Sequence, residues 1–290
     1  MNKTKLLTTL LIAALIVTVG VNVYQYTQNL TLSKQKDDLN TKLEMTSLLT
    51  QMQSQVNGEL DRLDAALQVT CNQLSTAGLQ GDQARAVLNT LVANNSLIVN
   101  VATADVNDIL VAVEPSNYSS IEGEDIKDQE QNIQLHQNMR PAMSNMIPLV
   151  EGFPGVVMVA PIFDANGKFI GSLSIVIQPY TLLQASIAPV IEDTPYSMWS
   201  MQTNGTLIFD PDPAQQGKNL LTDPIYTSYP EVQAFTRQVA AEQAGYGTYK
   251  YFNTNLDDAS GRVVSKEAYW TTIGIYGAQW RLVVVHIVSE

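Results

Sequence analysis

The sequence predicts an α+β fold, in which a long N-terminal helix precedes two modules that each combine an antiparallel sheet with flanking helices. Three observations support this prediction. No proline occurs before Pro115, and apolar residues follow a helical period as far as Leu74. Beyond Gly78, the order of a hairpin, a helix-prone insert and further antiparallel strands occurs twice.

Composition narrows the class of protein before any motif is considered. A chain of 290 residues accommodates about two domains at roughly 150 residues each. Its 45% hydrophobic and 15% charged residues suit a folded core rather than a disordered chain. The net charge of −12 argues against a nucleic-acid partner. The single cysteine, Cys71, excludes an intrachain disulfide. With only two histidines as well, few metal ligands are available, so neither metal nor cofactor is expected.

Residues 1–29 are expected to form a signal anchor. Lys3 and Lys5 precede an apolar run of 18 residues from Leu6 to Val23, near the lower limit for a membrane-spanning helix. The positive-inside rule then predicts a single-pass protein of the cell membrane, with its N-terminus inside and the bulk of the chain extracytoplasmic. The alternative is a cleaved signal peptide, although no A-x-A site follows the apolar run.

Residues 30–95 are expected to form a long stalk helix and a short second helix over 82–94. Apolar residues of the stalk recur at steps of three and four and form one stripe: Met45, Leu49, Met52, Val56, Leu60, Leu63, Leu67, Cys71 and Leu74. Two interpretations stay open, because the stripe can pack on its own domain or form a parallel coiled coil with a second copy.

Residues 96–190 are expected to form the first module. Two strands within 96–113 flank a turn at Asn107-Asp108, and a polar, acidic, helix-prone insert covers 115–149. Strands follow on either side of Asn166-Gly167, which is a strong hairpin signal.

Residues 191–290 are expected to repeat this order as a second module. A hairpin turns at Asn204-Gly205, and a helix-prone stretch covers 230–244. Three strands close the module, over 247–252, 268–276 and 280–287.

The order of several short motifs resembles that of a known family. Residues 159–171 (VAPIFDANGKFIG), 202–208 (QTNGTLI) and 217–219 (GKN) resemble its hairpins and its glycine-led turn. Trp270 and residues 277–285 (GAQWRLVVV) resemble its closing strands. Over roughly residues 30–288, the chain is thus similar to double Cache (dCache, PAS-like) extracytoplasmic sensor proteins. Its second half resembles versions found in methanogenic archaea.

The resemblance implies a membrane-distal module at 96–190, a membrane-proximal module at 191–290, and extracytoplasmic binding of small molecules, often in the distal module. Two departures qualify this expectation. No second membrane span and no kinase, cyclase or methyl-accepting region precedes Glu290, so a separate signalling protein would provide the output. The Arg-x-Trp-Tyr run of amino-acid-binding members is lacking, and the nearest arginine gives Met139-Arg140-Pro141-Ala142, so their usual mode of recognition is not expected.

Candidate binding residues concentrate in an acidic segment of the first module. Residues 105–151 contain nine acidic residues and two basic ones, Lys127 and Arg140, which gives a net charge of −7. This is either a solvated acidic helix face or a pocket for an amine-bearing ligand, with carboxylates as counter-charge and Tyr118 as a wall. Arg140 could instead clamp a carboxylate, so the ligand class (amine, amino acid or carboxylate) stays open. The candidate set is Tyr118, Asp125, His136, Arg140, Ser144 and Glu151. The alternative interpretation of His136 is an exposed helix residue.

Three classes of function are weighed. A small-molecule sensor without its own output domain fits best. The alternative is a structural or protein-interaction module on the cell surface, with the stalk forming a homodimer. An enzyme is not expected, because no Gly-x-Ser-x-Gly, P-loop or His-Glu-x-x-His motif occurs. Asp210-Pro211-Asp212-Pro213 is interpreted as a stiff loop, Asp164 to Gly167 as a turn, and the three tryptophans as core.

Overall fold

The computed structural model describes residues 3–252 and 262–288, with side chains from residue 15 onward. The chain divides into two compact units, Met1–Ser47 and Leu48–Glu290, and helix α1 (Lys3–Ala77) runs through both. The side chains of the first half of the expected anchor lie outside the described residues. Within the described part of the chain, no helix has an apolar stretch long enough to cross a membrane.

In the larger unit, the apolar stripe of α1 is buried. Its members from Leu49 to Leu74 are each less than a tenth exposed. On the same helix, the Gln53 amide Nε2 donates to Thr271 Oγ1 at 2.9 Å and to the carbonyl of Thr272 at 2.8 Å. The expectation that this stripe packs on its own domain is therefore confirmed. Helix α2 (Gly81–Ala93) follows where the sequence predicted a short helix.

The first sheet contains the two predicted hairpins. It has the strand order β2-β1-β6-β5-β3, with β4 also paired to β5, and every pairing is antiparallel. Its strands are β1 Ile98–Ala104, β2 Leu110–Glu114, β3 Ala142–Met143, β4 Ile147–Pro148, β5 Pro154–Phe163 and β6 Phe169–Ile177. The β5–β6 turn is the predicted one, because Asp164 Oδ1 accepts the N–H groups of Asn166 and Lys168 and Gly167 takes a φ of +77°.

Helical segments accompany this sheet. A 3-10 helix (Ser116–Ile121) and helix α3 (Glu130–Asn138) form the insert between β2 and β3. Helix α4 (Pro179–Ile191) follows β6 and was not predicted. Pro189 lies inside it, and a proline in that position normally argues against a helix.

The second sheet repeats the first. Its order is β8-β7-β11-β10-β9, so its first hairpin, like β1 and β2, occupies one edge and pairs with the last strand of the module. Its strands are β7 Ser197–Gln202, β8 Leu207–Phe209, β9 Gly245–Phe252, β10 Val263–Ile273 and β11 Trp280–Ile287. Helix α5 (Pro230–Ala241) and the 3-10 helices Pro213–Gln215 and Pro224–Tyr226 lie between β8 and β9. The predicted α+β fold with two related sheets is thereby confirmed.

The core of the second module is aromatic. The Phe235 ring of α5 stacks on Tyr249 with ring centroids 4.6 Å apart, and it meets Trp270 and Trp199 edge-on. Trp270 and Trp280 are fully buried, so the prediction that the tryptophans are core residues is confirmed. Gly245 is required beside Trp270, because a Cβ atom there would lie 2.3 Å from the indole ring.

Candidate ligand-binding cavities

A cavity separates the second sheet from helix α5. Its volume is about 40 Å³, counted as the space open to the centre of a water-sized sphere. A site needs much less than this to hold one water molecule. The wall consists of Ser197, Met198, Trp199, Leu207, Asp210, Pro211, Gln215, Leu220, Tyr226, Val232, Phe235, Thr236, Tyr249, Tyr251, Lys266 and Val285. Most of these side chains are apolar or aromatic, as is usual for a small-molecule site.

Two opposite charges line this cavity. Lys266 of β10 is only 3% exposed, and its Nζ lies 5.6 Å from the centre of the Tyr251 ring. Asp210 follows β8, and its Oδ1 accepts the backbone N–H of Asp212 at 2.8 Å. Burial lowers the pKa of Lys266 to about 8 and raises the pKa of Asp210 to about 7, with each group opposing the shift of the other.

Neutral polar groups complete the wall. Tyr226 Oη donates to Gln215 Oε1, and Trp199 Nε1 donates to Tyr249 Oη at 3.3 Å. Burial raises the pKa of both tyrosines, which keeps them neutral. Thr236 Oγ1 is fully buried on α5 and has no hydrogen-bond partner among the described residues. Because an unpaired buried hydroxyl is unfavourable, Thr236 suits a polar group bound in the cavity.

The sequence analysis missed both charges, for different reasons. Strand β10 begins at Val263, whereas the sequence analysis placed its start at residue 268. The prediction began too late because the run Ser265-Lys266-Glu267 is polar. Side chains alternate along a strand, so Lys266 shares a face with Ala268 and Trp270, which belong to the core beneath α5. Asp210 does lie in a loop, but this loop forms part of the cavity wall. The prediction of a loop after a strand is therefore confirmed, and the contribution of this loop to a cavity wall was not predicted.

A second, smaller cavity lies in the first module. Its volume on the same measure is about 20 Å³, and Asn100, Gln129, Glu151 and Ser174 are its polar wall residues. Asn100 Nδ2 donates to Glu151 Oε1 at 2.8 Å. Asn100 Oδ1 is buried and has no partner in the described part of the chain. Glu151 is the only one of the six predicted site residues in this wall.

The other five predicted residues are dispersed. Tyr118 packs on the cluster around Val113, and Ser144 is buried with its Oγ accepting the Val157 N–H at 3.0 Å. Asp125 is exposed and pairs with Lys127 at 2.6 Å, and this lysine lowers the pKa of the carboxyl. His136, interpreted as an exposed helix residue, is half-buried instead, and its Nε2 lies 2.8 Å from Asp108 Oδ2. Arg140 is exposed beside a wide groove that also includes Tyr276. The structure thus does not bring the six residues together.

Several carboxylates of the acidic segment have partners within the protein. Arg85 of α2 binds Glu114 at 3.0 Å and Glu122 at 2.8 Å, and these two carboxylates raise its pKa. Glu130 accepts both the side-chain amide and the backbone N–H of Asn145. The segment is therefore not a uniformly solvated acidic face. Its main cation is Arg85, which lies far from the segment in sequence.

Metal and thiol chemistry have little support in the described residues. No group of three or more His, Cys, Asp or Glu side chains there could hold a metal ion. Cys71 is buried, and burial raises the pKa of its thiol to about 12. A buried thiol of this kind is unreactive, since the thiolate is the nucleophile.

Comparisons with known proteins support a sensor domain. Residues 58–179 match the family model described as HK/GC/chemotaxis protein-like, sensor domain. An extracellular ligand binding receptor from Desulfohalobium retbaense is 33% identical with a TM-score of 0.70; the match covers 83% of this chain but only 40% of the receptor. No curated protein matches the sequence.

Two chemoreceptor domains share the fold at low identity. The ligand-binding domain of Pseudomonas fluorescens CtaA, solved with L-serine, is 11% identical with a TM-score of 0.62, covering 87% of this chain and 98% of that one. The corresponding domain of Pseudomonas aeruginosa PctC, solved with GABA, is 15% identical with a TM-score of 0.58, covering 87% and 100%.

The fold therefore places the chain in the class of receptor sensor domains. Within that class, these matches confirm the resemblance to double Cache proteins of the chemoreceptor and histidine kinase type. The expectation that the chain is not an enzyme is also confirmed, because the matched family consists of sensor domains.

Proposed function

We propose that this chain is an extracytoplasmic sensor domain that binds a small organic ligand in the cavity of the second module. The observation that carries the proposal is the buried Lys266, which shares an aromatic cavity with Asp210. Burying a charge is unfavourable unless hydrogen bonds and opposite charge compensate it, and such groups concentrate at functional sites. The ligands named for the CtaA and PctC domains, L-serine and GABA, are small charged molecules and support this class of partner.

The N-terminal sequence and the similarity to the extracellular receptor of Desulfohalobium retbaense support the extracytoplasmic location. In this proposal, residues 1–29 anchor the chain, residues 30–95 form the stalk, and the modules occupy 96–190 and 191–290. Alkaline extraction of membranes from cells that make the full chain tests the anchor. Recovery of the chain in the soluble fraction would contradict it.

A homodimer through the first part of the stalk is the second candidate role. Leu32, Leu39 and Leu43 are 57–60% exposed, and their spacing of seven and four residues suits a coiled-coil seam. Sedimentation equilibrium of the full chain tests this role, and a monomer at all concentrations would argue against it. If the chain is a monomer, a separate signalling protein would have to recognise the monomeric chain.

The ligand proposal is tested by thermal unfolding of the full chain in detergent micelles, with monocarboxylates, amino acids and amines added separately. A ligand present at about 100 times its dissociation constant adds roughly 2.7 kcal/mol to the free energy of unfolding. For a chain of this size, the midpoint should rise by about 5–10 °C. The absence of a shift with every compound class would contradict the proposal.

Two matched variants identify which cavity binds. Val232→Phe adds a ring to the wall of the second cavity, and Leu149→Phe adds one to the wall of the first. Both residues are less than a tenth exposed, so the two substitutions perturb packing to a similar degree. Val232→Phe should abolish the ligand-induced shift while Leu149→Phe retains it. The reverse result would transfer the site to the first module.

A further inference from the structure

We propose that the ligand of the second-module cavity is a short monocarboxylate, whose carboxylate group binds Lys266 Nζ and Thr236 Oγ1. The inference rests on the proposed function and specifies its ligand class. It is drawn from three features of the cavity, namely its hydrogen-bond donors, its charge balance and its size.

The donors of the wall favour an anionic acceptor. Lys266 offers an ammonium group that can donate but cannot accept hydrogen bonds. Thr236 Oγ1 is fully buried without a partner among the described residues, and a hydroxyl can donate its proton to an oxygen. A carboxylate provides two oxygens, one for each donor, and hydrogen bonds between charged groups are the strongest of this kind.

The charge balance disfavours an amine. An ammonium ligand would place a second positive charge beside a lysine that is already removed from water. Asp210 is compatible with a carboxylate ligand. Burial raises its pKa to about 7, and its protonated form can donate a hydrogen bond to a carboxylate. Asp212 and Asp223 lie outside the cavity wall, where their carboxylates accept the N–H groups of Ala214 and Ile225.

The size and walls of the cavity limit the rest of the ligand. About 40 Å³ open to the centres of water-sized spheres suits a chain of a few carbon atoms rather than a large ring. Leu207, Val232 and Phe235 provide an apolar wall for such a chain. A second charge at the far end of the ligand would face these groups without compensation.

The experiment compares butyrate with butylamine, which share a four-carbon chain and differ in the charge of the terminal group. Binding of each compound to the full chain in detergent micelles is measured by titration calorimetry. We expect butyrate to bind and butylamine to show no binding. Glycine and alanine are included, because an amino acid would engage both Lys266 and Asp210.

Four variants test the assigned roles. Lys266→Met should weaken butyrate binding roughly 10- to 150-fold, the range for a hydrogen bond to a charged group. Lys250→Met is the matched control on the adjacent strand β9, where the lysine is exposed, and it should bind butyrate as the wild type does. Thr236→Val should weaken binding about 2- to 10-fold. Asp210→Asn should retain binding, because its amide can donate as the protonated acid does.

The outcomes separate the inference from the proposed function. Butylamine or alanine binding that Asp210→Asn abolishes would overturn the carboxylate assignment and leave the ligand-binding function intact. A failure of every compound class to bind would overturn both proposals. If Lys266→Met does not fold, Thr236→Val still decides, since an unchanged affinity for butyrate in this variant would contradict the assigned site.

Discussion

The two modules share a strand order but differ in how they treat buried charge. In the first, Arg85 of the preceding helix α2 binds the buried Glu114 and the partly exposed Glu122, so side chains of the protein pair these charges. In the second, Lys266 and Asp210 line a cavity with aromatic walls. Because the two sheets have the same topology, the position of the charged side chains, rather than the topology, distinguishes the two modules as candidate binding sites.

The largest expected effect concerns the aromatic core of the second module. Phe235→Ala removes a buried ring that contacts Trp199, Tyr249 and Trp270, and it should lower the free energy of unfolding by about 3–5 kcal/mol. Phe163→Ala is the matched control in the first module, where the ring is 38% exposed, and about 1 kcal/mol or less is expected. Urea denaturation measures both, and equal losses would show that the aromatic cluster is not central to stability.

The next effect concerns the satisfied charges of the first module. Arg85→Gln leaves the buried Glu114 carboxylate without its cation, so the free energy of unfolding should fall by about 2–3 kcal/mol. Arg62→Gln breaks an exposed pair with Glu59 on α1 and should change it by about 0.5 kcal/mol at most. Thermal unfolding of the two variants measures the difference. A comparable small change in both would mean that the first module does not depend on this cluster.

The last effect is a pH dependence in the second module. The pKa of Asp210 in the folded state, about 7, exceeds its usual value of 3.8, so the folded state binds this proton more tightly than the unfolded state. Its contribution to stability is therefore present below about pH 4 and is lost as the pH rises to about 7. Asp210→Asn should remove this loss, so the stability of the variant should change less than that of the wild type over this pH range.

Lys266 acts in a separate pH range. Its pKa in the folded state, about 8, lies below the usual 10.5, so its burial is unfavourable at low pH and becomes less so as the pH rises from about 8 to 10.5. Urea midpoints between pH 4 and 7 therefore report on Asp210, and the exposed Asp125→Asn serves as the control. An unchanged slope in Asp210→Asn would show that this carboxyl is not the buried acid of the module.

Local patterns in the sequence predicted most of the fold. The stripe from Leu49 to Leu74, the turns at Asn166-Gly167 and Asn204-Gly205, and the repeated strand order depend on neighbouring residues, and the structure confirms each of them. Helix α4 was missed because Pro189 in its interior contradicts local helix propensity, while burial of Leu182, Leu183 and Ile187 stabilises it.

The candidate site could not be predicted in the same way. The acidic segment of the first module stands out in the sequence, yet the cation that satisfies much of it, Arg85, comes from a preceding helix. Lys266 has polar neighbours in sequence and Asp210 lies in a proline-rich loop, so neither stands out as a buried charge. Only the pairing of β10 with β9 and β11 brings Lys266 beneath α5.

The sequence by itself determined the fold class, the order of the elements and the resemblance to double Cache sensors, because period, turn chemistry and motif order are local properties. Only the tertiary structure decided which charges are buried, which groups lie beside them and which of them line a cavity. The energy of a buried charge depends on the solvent it loses and on the partners that distant segments bring to it.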